Sequence, residues 1–188
     1  RGEIEAAQQG ALPTLIELSD IRGDLQVHTT YTDGTNDLTE MVDAARARRY
    51  EYVAITDHTK AVRVAGGLTR GQFHRQFKEI ERLQKRFGDI TILKGAEVDI
   101  LDDGTLDLDD ATLGELDVVI AAVHSKFNLS RSAMTQRIVQ ALRHPRVQIL
   151  AHPTGRLLGR REPYPLDFDE IVKAAADHGV AIEINAQP

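Results

Sequence analysis

Cysteine is absent from the 188 residues, which removes disulfide bonds, zinc-thiolate centres and thiol nucleophiles together. Any metal here must sit among nitrogen and oxygen donors, leaving histidine and the carboxylates as ligands. No apolar run approaches the ~20 residues that a membrane span needs, and no basic-then-apolar leader opens the chain. Neither membrane insertion nor secretion is supported, so the expectation is a cytoplasmic enzyme. Positive charge is also in short supply. A net charge of -6 argues against a broad basic face that grips nucleic acid, while leaving room for a local phosphate site.

What is present suits one globular domain: 188 residues at 41% hydrophobic content are enough for a substantial core and too few to suggest two. The chain opens at Arg1 without Met and stops at Pro188 just after a strand-like segment, as expected of a piece of a longer protein. From Asp24 onward, apolar runs alternate with amphipathic stretches. Strands are predicted over Leu25 to Thr29, Tyr52 to Thr56, Thr91 to Val98, Val118 to Val123, Val147 to Ala151 and Val180 to Ile184. All are rich in Val, Ile and Leu and lack polar alternation, the pattern of strands buried on both faces in a parallel sheet.

The intervening helices carry recognisable ends. Asp37 with Glu40 three residues on forms a capping box before Leu38, Met41, Val42 and Ala45. Asp167 with Glu170 repeats it before an apolar stripe of Phe168, Ile171, Val172 and Ala175, and Gly179 is placed for a left-handed cap. Phe73, Phe77, Ile80 and Phe87 share a face before Gly88, and Met134, Ile138, Ala141 and Leu142 do so before His144-Pro145.

Such alternation fits either an open doubly wound sheet or a closed barrel. The polar residues favour the barrel. His28 closes the first predicted strand, Asp57 and His58 follow the second, Glu97 ends the third, His124 the fourth, His152 the fifth and Asn185 the sixth. Strand ends of a closed parallel barrel converge on one rim, where barrel active sites form. Six strands fall short of a closed barrel, so another strand and helix are expected beyond Pro188. Arg1 to Leu18, with Gly10 and Pro13, reads as linker.

Imidazole and carboxylate suit zinc, manganese and iron, and Glu97 could bridge two ions through its separate oxygens. Paired ions acidify a water between them and clamp phosphoryl oxygens during in-line attack, so no protein nucleophile is needed. Glu97, His124 and His152 would act through that hydroxide. Asp57 is read as orienting a metal-bound imidazole. Beyond His152, Arg156, Arg160 and Arg161 could meet phosphate bidentately, with Lys126 a weaker candidate. His74, His144 and His178 fall within or at the ends of helices and are assigned no function. The acidic run Asp102, Asp103, Asp107, Asp109 and Asp110 lacks the twelfth-position Glu of a calcium loop and is read as a solvated turn.

Taken together, Asp24-Leu-Gln-Val-His28-Thr-Thr-Tyr-Thr-Asp33-Gly34, Thr56-Asp57-His58, Gly95-Ala-Glu97-Val-Asp99, Val123-His124-Ser125 and Ala151-His152-Pro153 resemble the polymerase and histidinol phosphatase (PHP) family, from about Asp24 to the end. Within that family, Asp20-Ile-Arg-Gly-Asp24, His152-Pro-Thr-Gly-Arg156-Leu-Leu and Glu183-Ile-Asn185-Ala resemble the PHP domain that follows the core of bacterial family X DNA polymerases. Residues 1–20 would then be linker and the tail of that core, and residues 21–188 the PHP domain without its final strand.

The resemblance implies an α/β fold, a distorted TIM-like (β/α)7 barrel with about six βα units present. It implies up to three divalent metals, manganese or zinc: one at Gln26, His28 and Glu97, a second at Glu97, His124 and His152, a third at Asp33 and His58. It further implies manganese-dependent 3'-5' exonuclease or related phosphoesterase activity on DNA 3' ends, reached through the full-length polymerase, with weak DNA binding by this piece alone. Gln26 departs from the family's usual His, an amide oxygen being a neutral and weaker ligand. The family's final Asp and His ligands belong to a later strand. A histidinol-phosphatase-like phosphomonoesterase and a catalytically weakened scaffold are the alternatives.

Overall fold

Runs of Val, Ile and Ala with no polar alternation suit strands of a sheet covered on both faces. In the computed structural model of the protein, residues 2–185 are described; Arg1 and residues 186–188, including the end of the Glu183-to-Ala186 motif, lie outside the described residues. Six strands form: β1 (Gly23–Val27), β2 (Tyr52–Ile55), β3 (Thr91–Asp99), β4 (Val118–Ala122), β5 (Ile149–Leu150) and β6 (Ala181–Ile182). All neighbours pair in parallel, in the order β1-β2-β3-β4-β5-β6. A doubly wound sheet would permute that order. The sequential order belongs to a singly wound barrel wall, and the six strands curl into a half-barrel with helices outside it.

The curl is written into the pairing of β3. Its first half, Thr91 to Lys94, pairs with β2, and its second half, Gly95 to Asp99, pairs with β4. Such a stagger is what tilts strands around a barrel axis. Gly95 sits at the changeover, where a Cβ would stand 2.6 Å from the Thr56 methyl and 2.9 Å from the Ile55 carbonyl oxygen. Only glycine lets the two backbones come that close.

Alternate residues of β4 divide between two cores. Val119, Ala121 and Val123 pack outward with Phe73, Phe77, Met134 and Ile138, while Val118, Ile120 and Ala122 face inward with Ala54 and Ala151. On β3 the outward set is Ala96, Val98 and Ile100, which leaves Glu97 and Asp99 together on the inner face.

The helices are α1 (Glu3–Gln8), α2 (Leu38–Ala47), α3 (Arg70–Arg86), α4 (Asp110–Leu113), α5 (Arg131–Leu142) and α6 (Phe168–His178). Asp37 and Glu40 form the reciprocal capping box, and Gly179 caps α6 in the left-handed region at φ 68°.

Three sequence expectations need correction. β5 and β6 hold two residues each, because β5 runs into the left-handed His152 and Pro153 and β6 is an edge. Phe168 and Val172 do not belong to the buried stripe of α6; they are 42% and 43% exposed, and Ala174 takes their place beside Ile171 and Ala175. Phe87 lies past the end of α3 in extended backbone. The acidic run is the solvated turn expected, mostly exposed, within which Asp109 caps α4 by accepting from the Thr112 amide and Asp107 accepts from the Ala61 amide. Residues 2–22 are exposed except for the half-buried Ala6.

Candidate metal centre

Every strand from β1 to β5 delivers a polar side chain to the inner end of the half-barrel, and they meet around Glu97. This carboxylate is almost wholly buried, at 1% exposure. Its Oε1 lies 2.9 Å from His124 Nε2 and 2.9 Å from His152 Nε2. Its Oε2 lies 3.2 Å from His28 Nε2 and 3.8 Å from His58 Nδ1. The two oxygens thus face opposite flanks. Asp33 extends the first flank, 3.6 Å from His28 Nδ1 and 3.5 Å from His58 Nε2. The imidazoles touch in sequence, with centroids 4.5 Å apart for His28–His58, 5.0 Å for His58–His124 and 5.2 Å for His124–His152.

Two triads bring one donor atom each within a cation's reach: His28, Asp33 and His58, and His58, Glu97 and His124. The donor chemistry fits a divalent ion. Nδ1 of His28 and of His58 are buried without a hydrogen-bond partner among the described residues, and a buried lone pair left unused is costly unless something binds it. The resemblance implied Gln26, His28 and Glu97 around one ion; His28 Nε2 and Gln26 Nε2 both lie against Glu97 Oε2, and His28 also stands with Asp33 and His58. Gln26 itself turns its amide nitrogen to Glu97, donating from Nε2 to Oε2 at 2.9 Å. The pairing register of β1 with β2 shifts between Asp24 and Val27, the stretch that carries Gln26.

The electrostatics follow from one buried anion among four rings. Burial pushes the Glu97 carboxyl up, but hydrogen bonds from His124, His152 and His28 hold it far below the usual carboxylate range. Burial also opposes charge on His124, yet Asp99 and Glu97 outweigh it and raise the imidazole to about 9. For His28, burial is likewise outweighed, by Glu97 and Asp33, and the value is raised. In His58 burial wins, helped by the neighbouring His28 and His124, and the value is lowered.

Several supporting residues were not assigned from the sequence. Asp99 Oδ1 lies 3.1 Å from His124 Nδ1 and accepts from the His124 amide at 3.0 Å, so it fixes the ring that reaches Glu97. The readable signal was the two-residue spacing from Glu97 on one strand face. Asp57 was expected to orient an imidazole; its carboxylate instead accepts from the Thr29 amide, the Thr29 and Thr32 hydroxyls and the Gln76 amide. It anchors the loop after β1. Arg137, buried on α5, donates to the carbonyls of Ile100, Leu101 and Ser125, tying down the chain beyond Asp99 and His124. Its place at helical spacing among Met134, Ile138 and Ala141 was the available hint.

The cations divide. Arg156 and Arg161 border a cavity of about 720 Å³ that opens onto His124 and His152. Arg160 is not among the residues bounding it, and Lys126 lies 3.8 Å from Asp102. His152 takes a left-handed φ of 29°, a strain of about 1–3 kcal/mol that clusters at functional sites; its amide is held by Glu183. Away from the rim, His74 pairs with Glu115 and His144 with Asp110.

Comparison with known proteins places the chain in a family. A family model described as "PHP domain" matches residues 24–187. A Bacillus subtilis (strain 168) protein named DNA polymerase/3'-5' exonuclease PolX is 47% identical over 174 residues, covering 93% of this chain and 30% of its own length. A probable phosphatase of Syntrophotalea carbinolica is 31% identical over 166 residues, covering 86% of this chain and 64% of its own. The chain therefore spans under a third of the first relative and under two thirds of the second. Among solved structures, histidinol phosphate phosphatase from Lactococcus lactis, complexed with zinc, L-histidinol and phosphate, superposes with a TM-score of 0.57 at 19% identity. It covers 87% of this chain and 73% of its own, a likeness of fold.

Proposed function

The chain belongs to the PHP domain family, and from that premise we propose that it is the phosphoesterase module of a longer repair polymerase, hydrolysing phosphodiester bonds at DNA 3' ends in the 3'-5' direction. In this reading residues 1–20 are the tail of the polymerase core and residues 21–188 the module, in a cytoplasmic protein. The exposure of residues 2–22 supports that division. Among the described residues no helix is long and apolar enough to cross a membrane. The single observation that carries the function is Glu97, whose two oxygens face His28 and Gln26 on one side and His124 and His152 on the other.

His28, Asp33, His58, Glu97, His124 and His152 would hold divalent cations, manganese or zinc, up to three in number. When bound, such ions polarise phosphoryl oxygens and lower the pKa of water. The chain's own residues do the rest. Glu97 stays ionised against its burial because imidazoles donate to it, so it presents an anion at every physiological pH. Asp99 holds the His124 ring in one orientation. Asp57 keeps the loop that carries Asp33 closed over His58. Arg156 stands at the cavity edge where a phosphate would enter.

Replacing His124 with Ala should abolish manganese-dependent nucleotide release from a DNA 3' end, with the fold retained by circular dichroism. Undiminished release would reject the reading. A second reading, a small-molecule phosphomonoesterase, is favoured by the probable phosphatases, of whose length the chain covers more than half. Release of inorganic phosphate from monoesters rather than nucleotides from DNA would select it. The Gln26 amide donating to Glu97 favours a third outcome, a weakened scaffold, which elemental analysis showing no retained metal would identify.

A further inference from the structure

Large apolar side chains seldom stand in water without reason when they gather on one face. Val64, on the loop after β2, is 100% exposed; Leu158, on the loop after β5, is 55% exposed; Ile184, beyond β6, is 96% exposed. All three border the same 720 Å³ cavity, whose inner wall is His124 and His152. Val64 also borders the histidine basin that contains Glu97 and Asp33, so cavity and candidate centre are continuous.

One wall of this cavity carries Phe127 and Arg161. Phe127 is backed by the buried Tyr164, nearly parallel to it at 9° and 6.0 Å between centroids. The Arg161 guanidinium covers the Phe127 ring at 4.2 Å, and its Nε donates to the Gly155 carbonyl at 2.6 Å. A guanidinium plane held this way has little rotamer entropy left to lose, and it presents a platform for a flat heterocycle. The charges point the same way. Arg156 and Arg161 border the space, and the bordering carboxylate, Glu183, already accepts from the His152 amide and from Asn185 Nδ2. An uncharged flat ring attached to an anionic phosphate suits that lining; a cationic amine does not. The volume, within the usual range for ligand pockets of roughly 300–1,000 Å³, exceeds what a bare phosphate requires.

We propose that this cavity receives the nucleobase next to the scissile phosphate, with Val64 and Leu158 closing over its faces and edge. The proposal rests on the phosphoesterase reading and names its substrate as a base-bearing ester. The manganese-loaded full-length protein is given a thymidine dinucleotide and the same dinucleotide with the terminal base removed. The base-bearing form should be preferred about tenfold in kcat/KM, expressed in KM, as expected for one stacking contact. Val64→Asp and Leu158→Asp, two exposed positions on separate loops, should each bring the ratio towards one. Separately, without turnover and in chelator, an oligonucleotide ending in 2-aminopurine should change fluorescence on binding wild type and not either variant. Equal hydrolysis of both dinucleotides by wild type overturns the cleft and leaves the phosphoesterase reading standing. Variant-sensitive 2-aminopurine binding with no hydrolysis of either dinucleotide sinks the phosphoesterase reading and keeps the cleft.

Discussion

The two flanks of Glu97 are built on the same plan, a loop following a parallel strand, and end with opposite chemistry. The loops after β1 and β2 supply His28, Asp33 and His58 and bury two ring nitrogens that make no hydrogen bond among the described residues. The loops after β4, β5 and β6 supply His124 and His152, then open into an apolar, cationic cavity. Both flanks offer donors that could hold a cation, and only the second opens from them into a cavity. The first is held by the Asp57 network on Thr29, Thr32 and Gln76; the second bends through left-handed backbone at Lys126 and His152. Rigid donors and a shaped cavity are different demands, and the barrel rim meets each with a separate set of loops.

Breaking the shared element should cost most. Glu97→Gln removes the charge that faces both flanks, so metal content per chain should fall and DNA-end hydrolysis should drop by more than the roughly 10–100-fold typical of losing an outer partner. Elemental analysis and a nuclease assay would read both; full metal content would mean that the flanks bind independently of it. Asp99→Asn touches only the second flank through the His124 ring. Metal affinity by titration calorimetry should weaken about 10–100-fold, while an unchanged isotherm would show that His124 needs no orienting partner.

The smallest effect is in pH. On the first flank His28 is raised and His58 lowered, so their slopes oppose. On the second, His124 is raised to about 9, above the unfolded value of about 6.5. A raised value stabilises fully below the unfolded pKa and is lost as pH climbs through the folded one. The Tm of the protein in chelator should therefore decline between those two pH values, and saturating manganese, which binds neutral imidazole, should flatten the decline. A Tm in chelator that rises across that window would contradict the charge assignment.

Much of this was legible along the chain, for identifiable reasons. Strands covered on both faces advertise themselves as unbroken Val, Ile and Ala runs, so the inner strands stood out, while the two-residue β5 and β6 were overextended because pairing length depends on neighbours. The Asp37 box and Gly179 cap are local devices and read correctly. Phe168 and Val172 misled because periodicity shows which residues share a face, not how much of that face the sheet covers. Asp99 and Arg137 escaped notice because their value lies in partners 25 and 37 residues away.

Residue order alone thus determined the α/β alternation, the parallel sheet and the polar residues at strand ends, because hydrophobic period and capping act over a few residues. Tertiary structure decided which oxygen of Glu97 faces which ring, that Gln26 turns its nitrogen inward, that Asp57 braces a loop and that exposed apolar side chains gather around one cavity. Those outcomes depend on the stagger of β3 between its neighbours, a property of the assembled sheet that no short stretch of sequence carries.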